Sequence, residues 1–210
     1  MNDLDSRALR YCDSFAQRFA KPGALSYALG PAGTTQFGAQ EAFKITVKPG
    51  APNRKAKQHF VVVRLKDKHL VADPPDLDIE AGDVVLWSAE SAGTPPFRVG
   101  GRSEAGAFDS DGLQSEAVYT HAFGVAGEYR WRDANGHGVS GVVKVTNPVL
   151  KVRGDTEKFH NLLGKGTMVL LCGQQADPST VEIFTGQTVF FAVEKAAGIT
   201  ITDERLIRRD

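Results

Sequence analysis

The chain has 210 residues, of which 41% are hydrophobic and 24% are charged. These are ordinary values for a globular protein, so the chain is able to bury a core, and extensive disorder is excluded. The 25 basic and 25 acidic residues give a formal net charge of zero. This balance excludes a strong electrostatic attraction for nucleic acid or for an anionic membrane. The length fits one large β domain or two domains of about 100 residues each.

The N-terminus and the cysteines bear on location. No apolar run approaches the roughly 20 residues that a membrane span needs. The first 15 residues carry acidic side chains and no apolar signal-peptide core. A cytoplasmic location is therefore expected, unless a precursor segment has been removed. Cys12 and Cys172 are too few for a disulfide framework, so two reduced thiols are expected, and a disulfide joining the two ends of the chain is the alternative.

The first predicted elements lie between Asp13 and Val47. Apolar residues at helical spacing allow an amphipathic helix at the start of this range. However, a Lys-Pro-Gly turn followed by the alternating residues Leu25 and Tyr27 favours strands, and an internal repeat supports that choice. Phe43–Val47 is predicted to be a strand, and the Pro-, Gly- and Lys-rich segment 48–57 is predicted to be a linker.

A repeat with a period of 104 residues organises the chain. The matching pairs in one segment are Phe15 with Tyr119, Phe19 with Phe123, Gly23 with Gly127, Leu25 with Tyr129, and Tyr27 with Trp131. A second segment, 72–87, aligns without a gap with 176–191 at the same offset (176 − 72 = 104). Two separate segments that share one offset indicate an internal repeat.

Further strands are predicted in the middle of the chain, and one helix near its end. The segment 59–65 is rich in β-branched residues, and 77–87 contains two apolar alternations around a glycine turn. The stretch 114–145 contains two strands, a glycine-rich loop and a closing strand. Asp155 is expected to cap a short helix that continues to Leu163.

The repeat predicts an unusual division into domains. One continuous sandwich is expected over 58–147, while 1–50 corresponds to the closing half of a second sandwich and 165–210 to its opening half. Either half alone exposes sheet edges and half a core, so the two are expected to combine. They pair within one chain, as a circularly permuted sandwich, or between chains, as a swapped dimer or a filament. A high effective concentration favours pairing within the chain.

Both repeats resemble cupredoxins of the plastocyanin and amicyanin type. The segment 75–87 matches the family's order of proline, alternating apolar residues, Gly-Asp and a strand ending in tryptophan. The segment 123–131 matches its F-x-x-x-G-x-Y-x-aromatic pattern. The resemblance implies an all-β fold with two cupredoxin-like Greek-key β-sandwich domains, one of them split between the N- and C-terminal segments. It does not imply an activity, because one fold hosts many functions.

The resemblance also locates the positions of the family's copper ligands. A type-1 copper site needs two histidines, a cysteine thiolate and a weak axial methionine. The corresponding positions hold Phe97, Asp133, Gly136 and Val139, and in the other copy they fall near Leu29 and Ile199. None of these side chains replaces its counterpart in a type-1 site. No copper or other cofactor, and no electron-transfer activity, is therefore expected.

The weak candidates for another metal site are His121, Asp133 and His137, which lie in or beside the former copper loop. Two imidazoles and a carboxylate are ligands for zinc or cupric ion, but a surface or structural role is the simpler interpretation of these histidines. Three carboxylates alternate along 76–80 and are expected on the wet face of a strand. The sequence contains no nucleophile motif and no phosphate-binding glycine loop.

The sequence therefore predicts a non-catalytic, metal-free structural or interaction protein that binds a protein partner or assembles with itself. One alternative is a metal-binding or redox relative of the cupredoxins with a displaced site near His121 and His137. Another is an enzyme or small-molecule binder at the junction of the sandwiches, for which the sequence offers no catalytic residues. No nucleic-acid partner and no membrane span are expected.

Overall fold

A computed structural model describes residues 3–34, 43–103, 106–151 and 153–207. This part of the chain consists mainly of β-strands in two sandwich-like units. The strands of the first unit are β1 (Asp13–Arg18), β2 (Gly23–Pro31), β3 (Phe43–Lys48), β4 (Gln58–Lys66), β5 (His69–Asp73), β6 (Asp76–Glu80), β7 (Val84–Ala89), β8 (Phe97–Ser103) and β9 (Gly106–Asp109). The strands of the second unit are β10 (Leu113–Gln114), β11 (Ala117–Ala122), β12 (Gly127–Arg132), β13 (Ser140–Thr146), β14 (Thr167–Cys172), β15 (Gln175–Asp177), β16 (Thr180–Phe184), β17 (Thr188–Lys195), β18 (Ala197–Ile199) and β19 (Thr202–Asp203). A helix, α1 (Arg153–Leu163), precedes β14, and a short 3-10 helix, Glu204–Leu206, follows β19.

The strands form where apolar and polar residues alternate. In β3, Phe43, Ile45 and Val47 are buried, while the lysines and the threonine between them are exposed. This alternation lets a strand bury one face and keep the other in water. The structure confirms the all-β class and the choice of strands over a helix at β1 and β2. The predicted short helix is also present, since α1 ends at Leu163.

One eight-stranded sheet runs through both units in the order β15-β14-β17-β11-β1-β7-β4-β5. A second sheet, β6-β3-β2-β8-β9, packs on the first-unit half of it, and a third sheet, β16-β13-β12-β19, packs on the other half. The same aromatic contact joins the two layers in each unit. The ring centroids of Tyr27 and Trp87 are 5.5 Å apart, and those of Trp131 and Phe191 are 5.3 Å apart. The two rings of each pair are nearly edge-on. These four residues occupy matching positions of the repeat.

The two units meet where β1 pairs with β11. The pairing is antiparallel and places Phe15 directly opposite Tyr119. These two residues are themselves a matching pair of the repeat (119 − 15 = 104). The register is therefore symmetric about this pair, and the two units are related by a pseudo-two-fold axis that passes between Phe15 and Tyr119.

The observed strand pairs correct the expected division into 1–50, 58–147 and 165–210. β1 pairs with β7, β2 pairs with β8, and β3 pairs with β6, so the strands of 1–50 are completed by the strands that follow them. In the same way, 165–210 completes the strands of 113–146. The connection from β3 to β4 is about ten residues, whereas a partner in 165–210 lies about 120 residues away. Closing the shorter loop costs about 2 kcal/mol less free energy, because less conformational entropy is lost.

The two ends of the described chain do meet, but over a short segment. Asp5 forms an isolated bridge with Thr202. The Ser6 amide donates to the Ile201 carbonyl at 2.9 Å, and the Ile201 amide donates to Oγ of Ser6 at 3.0 Å. Leu4 beside them is fully buried. These contacts fasten the first residues onto the second unit without completing a sandwich.

Asp83 holds the connection between β3 and β4. Its buried carboxylate accepts hydrogen bonds from the Lys57 amide at 2.7 Å and from Arg54 at 2.6 Å, and it lies 3.0 Å from Nε2 of His59. Burial by itself raises the pKa of such a carboxyl. Here these contacts, together with a hydrogen bond from the Glu80 amide, outweigh burial and hold the pKa of Asp83 well below its ordinary value.

The matching position in the second unit is Gln187. Its side-chain amide donates to the Leu162 carbonyl at 3.1 Å, at the end of α1. Both repeats therefore use this position to anchor the connection before the following strand. The first repeat does so with a charge, and the second with a neutral amide.

Replacing Asp83 with Asn should lower the free energy of unfolding at pH 7 by about 2 kcal/mol, because buried donors lose a charged acceptor. A carboxyl group whose folded-state pKa is depressed stabilises the fold above its unfolded-state pKa, which is about 4. That stabilisation is lost as the pH falls from there through the folded-state pKa. The difference between wild type and Asp83→Asn should therefore shrink between pH 7 and pH 3, as measured by urea unfolding.

The exposed turn residue Asp67 provides the control for this measurement. Asp67→Asn should follow the wild-type pH dependence. A stability difference for Asp83→Asn that stays constant from pH 7 to pH 3 would contradict the interpretation.

Candidate functional site

A buried polar cluster lies on the strand pair that joins the two units. Asp13 and His121 face each other across β1 and β11, and both side chains are fully shielded from solvent. Nδ1 of His121 lies 2.6 Å from Oδ1 of Asp13. The Tyr119 hydroxyl donates to the same Oδ1 at 2.8 Å, and the Arg10 amide donates to Oδ2 at 2.8 Å. One carboxylate from the first repeat therefore holds an imidazole and a phenol from the second.

Cys12 brings a thiol to the same cluster. Its Sγ lies 3.9 Å from Nδ1 of His121. Within the described part of the chain, Cys12, Asp13 and His121 form a group whose possible metal-ligating atoms all lie within 4.8 Å of one another. Cys12 is half-buried, Cys172 is exposed, and both are free thiols. The disulfide considered as an alternative is thus not formed.

The cluster shifts the pKa values of its members. Burial lowers the pKa of His121, but the hydrogen bonds and charges of Asp13 and Cys12 outweigh burial and raise that pKa to about 9. Burial, followed by the negative charge of Asp13, raises the pKa of Tyr119 well above its ordinary value. Tyr119 therefore stays protonated at neutral pH and acts as a hydrogen-bond donor.

The two ring nitrogens of His121 have different surroundings. Nε2 is buried and has no hydrogen-bond partner among the residues described, and the ring packs edge-on against Phe123 at 4.5 Å. Cys12 and Asp13 both approach Nδ1. In a catalytic Cys-His-Asp triad, the thiol contacts one ring nitrogen of the histidine and the carboxylate contacts the other. The cluster therefore lacks the geometry of a catalytic Cys-His-Asp triad.

The other end of the β1–β11 pair carries different residues. Gln17 occupies the position that matches His121, and Ala117 occupies the one that matches Asp13. Gln17 lines a cavity of about 190 Å³ together with Phe108. The polar cluster is therefore a property of one end of the pair, and the repeat does not reproduce it at the other.

Asp133 and His137, two of the residues predicted from the sequence, form a separate pair. The His137 amide and its Nδ1 lie 2.6 and 2.9 Å from Oδ2 of Asp133. The Thr200 amide and hydroxyl donate to Oδ1 at 2.7 and 3.0 Å. Burial raises the pKa of Asp133, but these hydrogen bonds outweigh it and hold that pKa below its ordinary value. The carboxylate thus fixes the loop after β12, and His121 does not join it.

The positions that the resemblance to cupredoxins assigned to copper ligands are divided between the two units. Phe97 begins β8 and pairs with Pro31 in the first unit. Asp133, Gly136 and Val139 lie between β12 and β13 in the second unit. The sequence placed all four in one sandwich. The observed strand pairing separates them for the same reason that it corrects the domain division.

A second candidate feature is the outer face, the side of the eight-stranded sheet that points away from the two covering sheets. We define the outer face by two adjacent rows of side chains. One row contains Phe60, Leu86, Ala16, Val118, Ala192 and Leu170, and the other contains Val62, Ser88, Ser14, Thr120, Phe190 and Met168. Neither row holds a charged residue. Phe60 is 59% exposed, Met168 is 55% exposed and Leu170 is 41% exposed.

The repeat relates the two rows of the outer face. Leu86 and Phe190 are a matching pair (190 − 86 = 104). Phe60 is the strand partner of Leu86, and Met168 is the strand partner of Phe190. Phe60 and Met168 therefore occupy matching positions, and each repeat exposes one large apolar side chain there.

No family model matches this chain, and no match was found among curated proteins or solved structures. Among the residues that the structure describes, no helix has the length and apolar character of a membrane span. The two features above, the polar cluster and the outer face, are therefore the basis for assigning a function.

The sequence interpretation missed Asp13 and Cys12 as neighbours of His121. The repeat contained part of the necessary information, because an antiparallel pairing centred on Phe15 and Tyr119 places Asp13 opposite His121. What the sequence lacked was any sign that these two strands pair with each other, since each also has a second neighbour in the sheet.

Replacing Asp13 with Ala, in the presence of a chelator, should lower the free energy of unfolding by about 3 kcal/mol, because it leaves the buried imidazole unpaired. His121→Leu should also destabilise the protein, because the buried carboxylate of Asp13 then loses its imidazole partner and keeps only the hydrogen bonds from Tyr119 and Arg10. The double variant should lose less stability than the sum of the two single variants. Urea unfolding of the four proteins measures this coupling.

Glu194→Ala, at an exposed position of β17, serves as the control and should stay close to wild type. Additive losses for Asp13→Ala and His121→Leu would show that the two side chains do not depend on each other.

Proposed function

We propose that the protein is a non-catalytic, cupredoxin-like interaction protein that binds a second copy of itself through the outer face. The observation that carries this proposal is the exposure of Phe60 and Met168 at matching positions of the two repeats. A single exposed apolar side chain needs no explanation. Its recurrence in both repeats, on one face without charged residues, is typical of a contact surface.

The extent of the outer face supports the proposal. Each row crosses six strands, which at about 4.8 Å per strand gives a width of about 24 Å. Two sheets that pack face to face lie about 10 Å apart, and their side chains interdigitate. Phe60 and Met168 are large enough to interdigitate with side chains of a facing sheet. Leu170 extends the apolar surface on the side of the second unit.

The symmetry of the outer face favours a second copy as the partner. The pseudo-two-fold axis between Phe15 and Tyr119 exchanges the two rows, so a half turn brings the position of Phe60 onto that of Met168. A two-fold dimer needs one patch that is complementary to itself, and such an interface closes and does not continue into a filament. A copy placed face to face brings Phe60 and Met168 of both chains into one apolar layer.

Two arginines beside the outer face form ion pairs within the chain. Arg18 pairs with Glu116 at 2.9 Å, and Arg64 pairs with Asp73. The formal net charge is zero. Long-range repulsion between two copies is therefore small, and the apolar contact is not opposed by a field of one sign.

Two further observations support the non-catalytic and cupredoxin-like parts of the proposal. Cys12 and Asp13 approach the same nitrogen of His121, which is unsuitable for activating a nucleophile. The edge-on aromatic pair Tyr27–Trp87 and its match in the second unit support descent of both repeats from one sandwich unit. The proposal includes no blue-copper electron transfer, since the matching positions lack the type-1 ligands.

Replacing Phe60 and Met168 together with Ser should convert dimers into monomers. We expect the dissociation constant of the dimer to rise by at least about tenfold, because two large exposed apolar side chains are removed from the contact. Analytical ultracentrifugation over a range of concentrations measures this change. Circular dichroism of the monomer should stay like that of wild type, because both positions lie on the surface.

Leu65→Ser is the matched control. Leu65 is also on β4 and is 50% exposed, but the alternation of the strand places it on the side opposite Phe60. This variant should remain dimeric. A wild-type protein that stays monomeric at every concentration, or an equal loss of dimer in Leu65→Ser, would reject the outer face as the contact.

A further inference from the structure

We propose that Cys12, Asp13 and His121 bind a divalent transition-metal ion of the zinc type at the junction of the two units. This site goes beyond the proposed self-association and does not depend on it. The polar cluster is on the inner side of the shared sheet, whereas the outer face is on the other side. The proposal rests on three side chains of metal-ligating type whose donor atoms lie within 4.8 Å of one another.

The donor set selects the class of metal. A thiolate, an imidazole and a carboxylate are all ligands that zinc accepts in proteins. Magnesium and calcium prefer sites made of oxygen atoms, so a thiolate disfavours both. The fourth position of the tetrahedron falls to a water molecule, as in other sites with three protein ligands.

The present distances are close to those that a tetrahedral ion requires. Zinc bonds of about 2.0 Å to nitrogen and oxygen and about 2.3 Å to sulfur place nitrogen and oxygen about 3.3 Å apart, and nitrogen and sulfur about 3.6 Å apart. Nδ1 of His121 now lies 2.6 Å from Oδ1 of Asp13 and 3.9 Å from Sγ of Cys12. Asp13 and His121 must separate by about 0.7 Å, and Cys12 must approach by about 0.3 Å.

The charges and protons of the site also balance. A divalent ion with the thiolate of Cys12 and the carboxylate of Asp13 forms a neutral centre, which a buried environment tolerates far better than an unpaired charge. Sγ of Cys12 and Nδ1 of His121 must both be free of protons when the ion is bound, because each ligand atom must offer a free lone pair. No electron is transferred, and no other reactant is needed.

The position of the site in the fold determines how the ion reaches it and what binding does to the protein. Cys12 is half-buried, so it offers access from the surface, while Asp13 and His121 are buried behind it. Cys12 and Asp13 belong to the first unit and His121 belongs to the second. A bound ion therefore cross-links the two units and stabilises the folded chain by mass action.

The test uses the full chain without a histidine tag, freed of metal by a chelator and then dialysed against zinc ions alone. We expect about one zinc ion per chain by elemental analysis, as a site with three protein ligands implies. Cobalt(II) in place of zinc should produce a thiolate-to-metal charge-transfer band. Cys12→Ser should abolish this band and raise the dissociation constant for zinc by at least about tenfold, the loss that removing even an outer-shell partner causes.

Cys172→Ser is the matched control, because it removes the chain's other thiol from an exposed position. It should keep both the charge-transfer band and the zinc affinity of wild type. His121→Gln should lose zinc binding, and near-ultraviolet circular dichroism reports whether it folds; if it does not, the half-exposed Cys12→Ser variant decides. Wild type that retains no more zinc than Cys12→Ser, or a charge-transfer band lost in Cys172→Ser, would overturn the site.

Discussion

The antiparallel pairing of β1 with β11 is the interaction on which the rest of the structure depends. Because it is centred on Phe15 and Tyr119, two matching positions of the repeat, it joins the units by a pseudo-two-fold axis and makes one sheet from two. Without it, each unit would present an unpaired strand edge, which invites uncontrolled association. With it, the exposed apolar side chains of both repeats lie on one continuous outer face.

The same pairing produces the polar cluster, and only at one of its ends. The register brings Asp13 opposite His121, while the matching residues at the other end are Ala117 and Gln17. The fold is therefore close to symmetric in its backbone and asymmetric in its chemistry. The outer face contains equivalent positions from both units, whereas the cluster occurs at one end of the strand pair only. The two features lie on opposite sides of the sheet, so the two proposed properties are independent of each other.

Much of the fold was predictable from the sequence, because strands appear as local patterns and a repeat appears when the sequence is compared with itself. The alternation at Phe43–Val47 and the 104-residue offset led to the correct class and to correct positions for most strands. The choice of partner strands was wrong for 1–50 and 165–210. A repeat shows that β1 and β11 are equivalent, but equivalent strands offer the same edges, so pattern alone does not distinguish a neighbouring partner from a distant one. Chain connectivity favours the neighbour.

The sequence by itself determined the all-β class, because that class follows from residue types that alternate at a fixed spacing. It also singled out His121, although with Asp133 and His137 as its companions. Only the tertiary structure decided that Cys12 and Asp13 are its neighbours and that Phe60 and Met168 share a face. The contacts of the cluster join residues that are 108 and 109 positions apart, and Phe60 and Met168 lie on strands that are separated by four others. Both arrangements arise from the register of strands across a sheet, which no local pattern encodes.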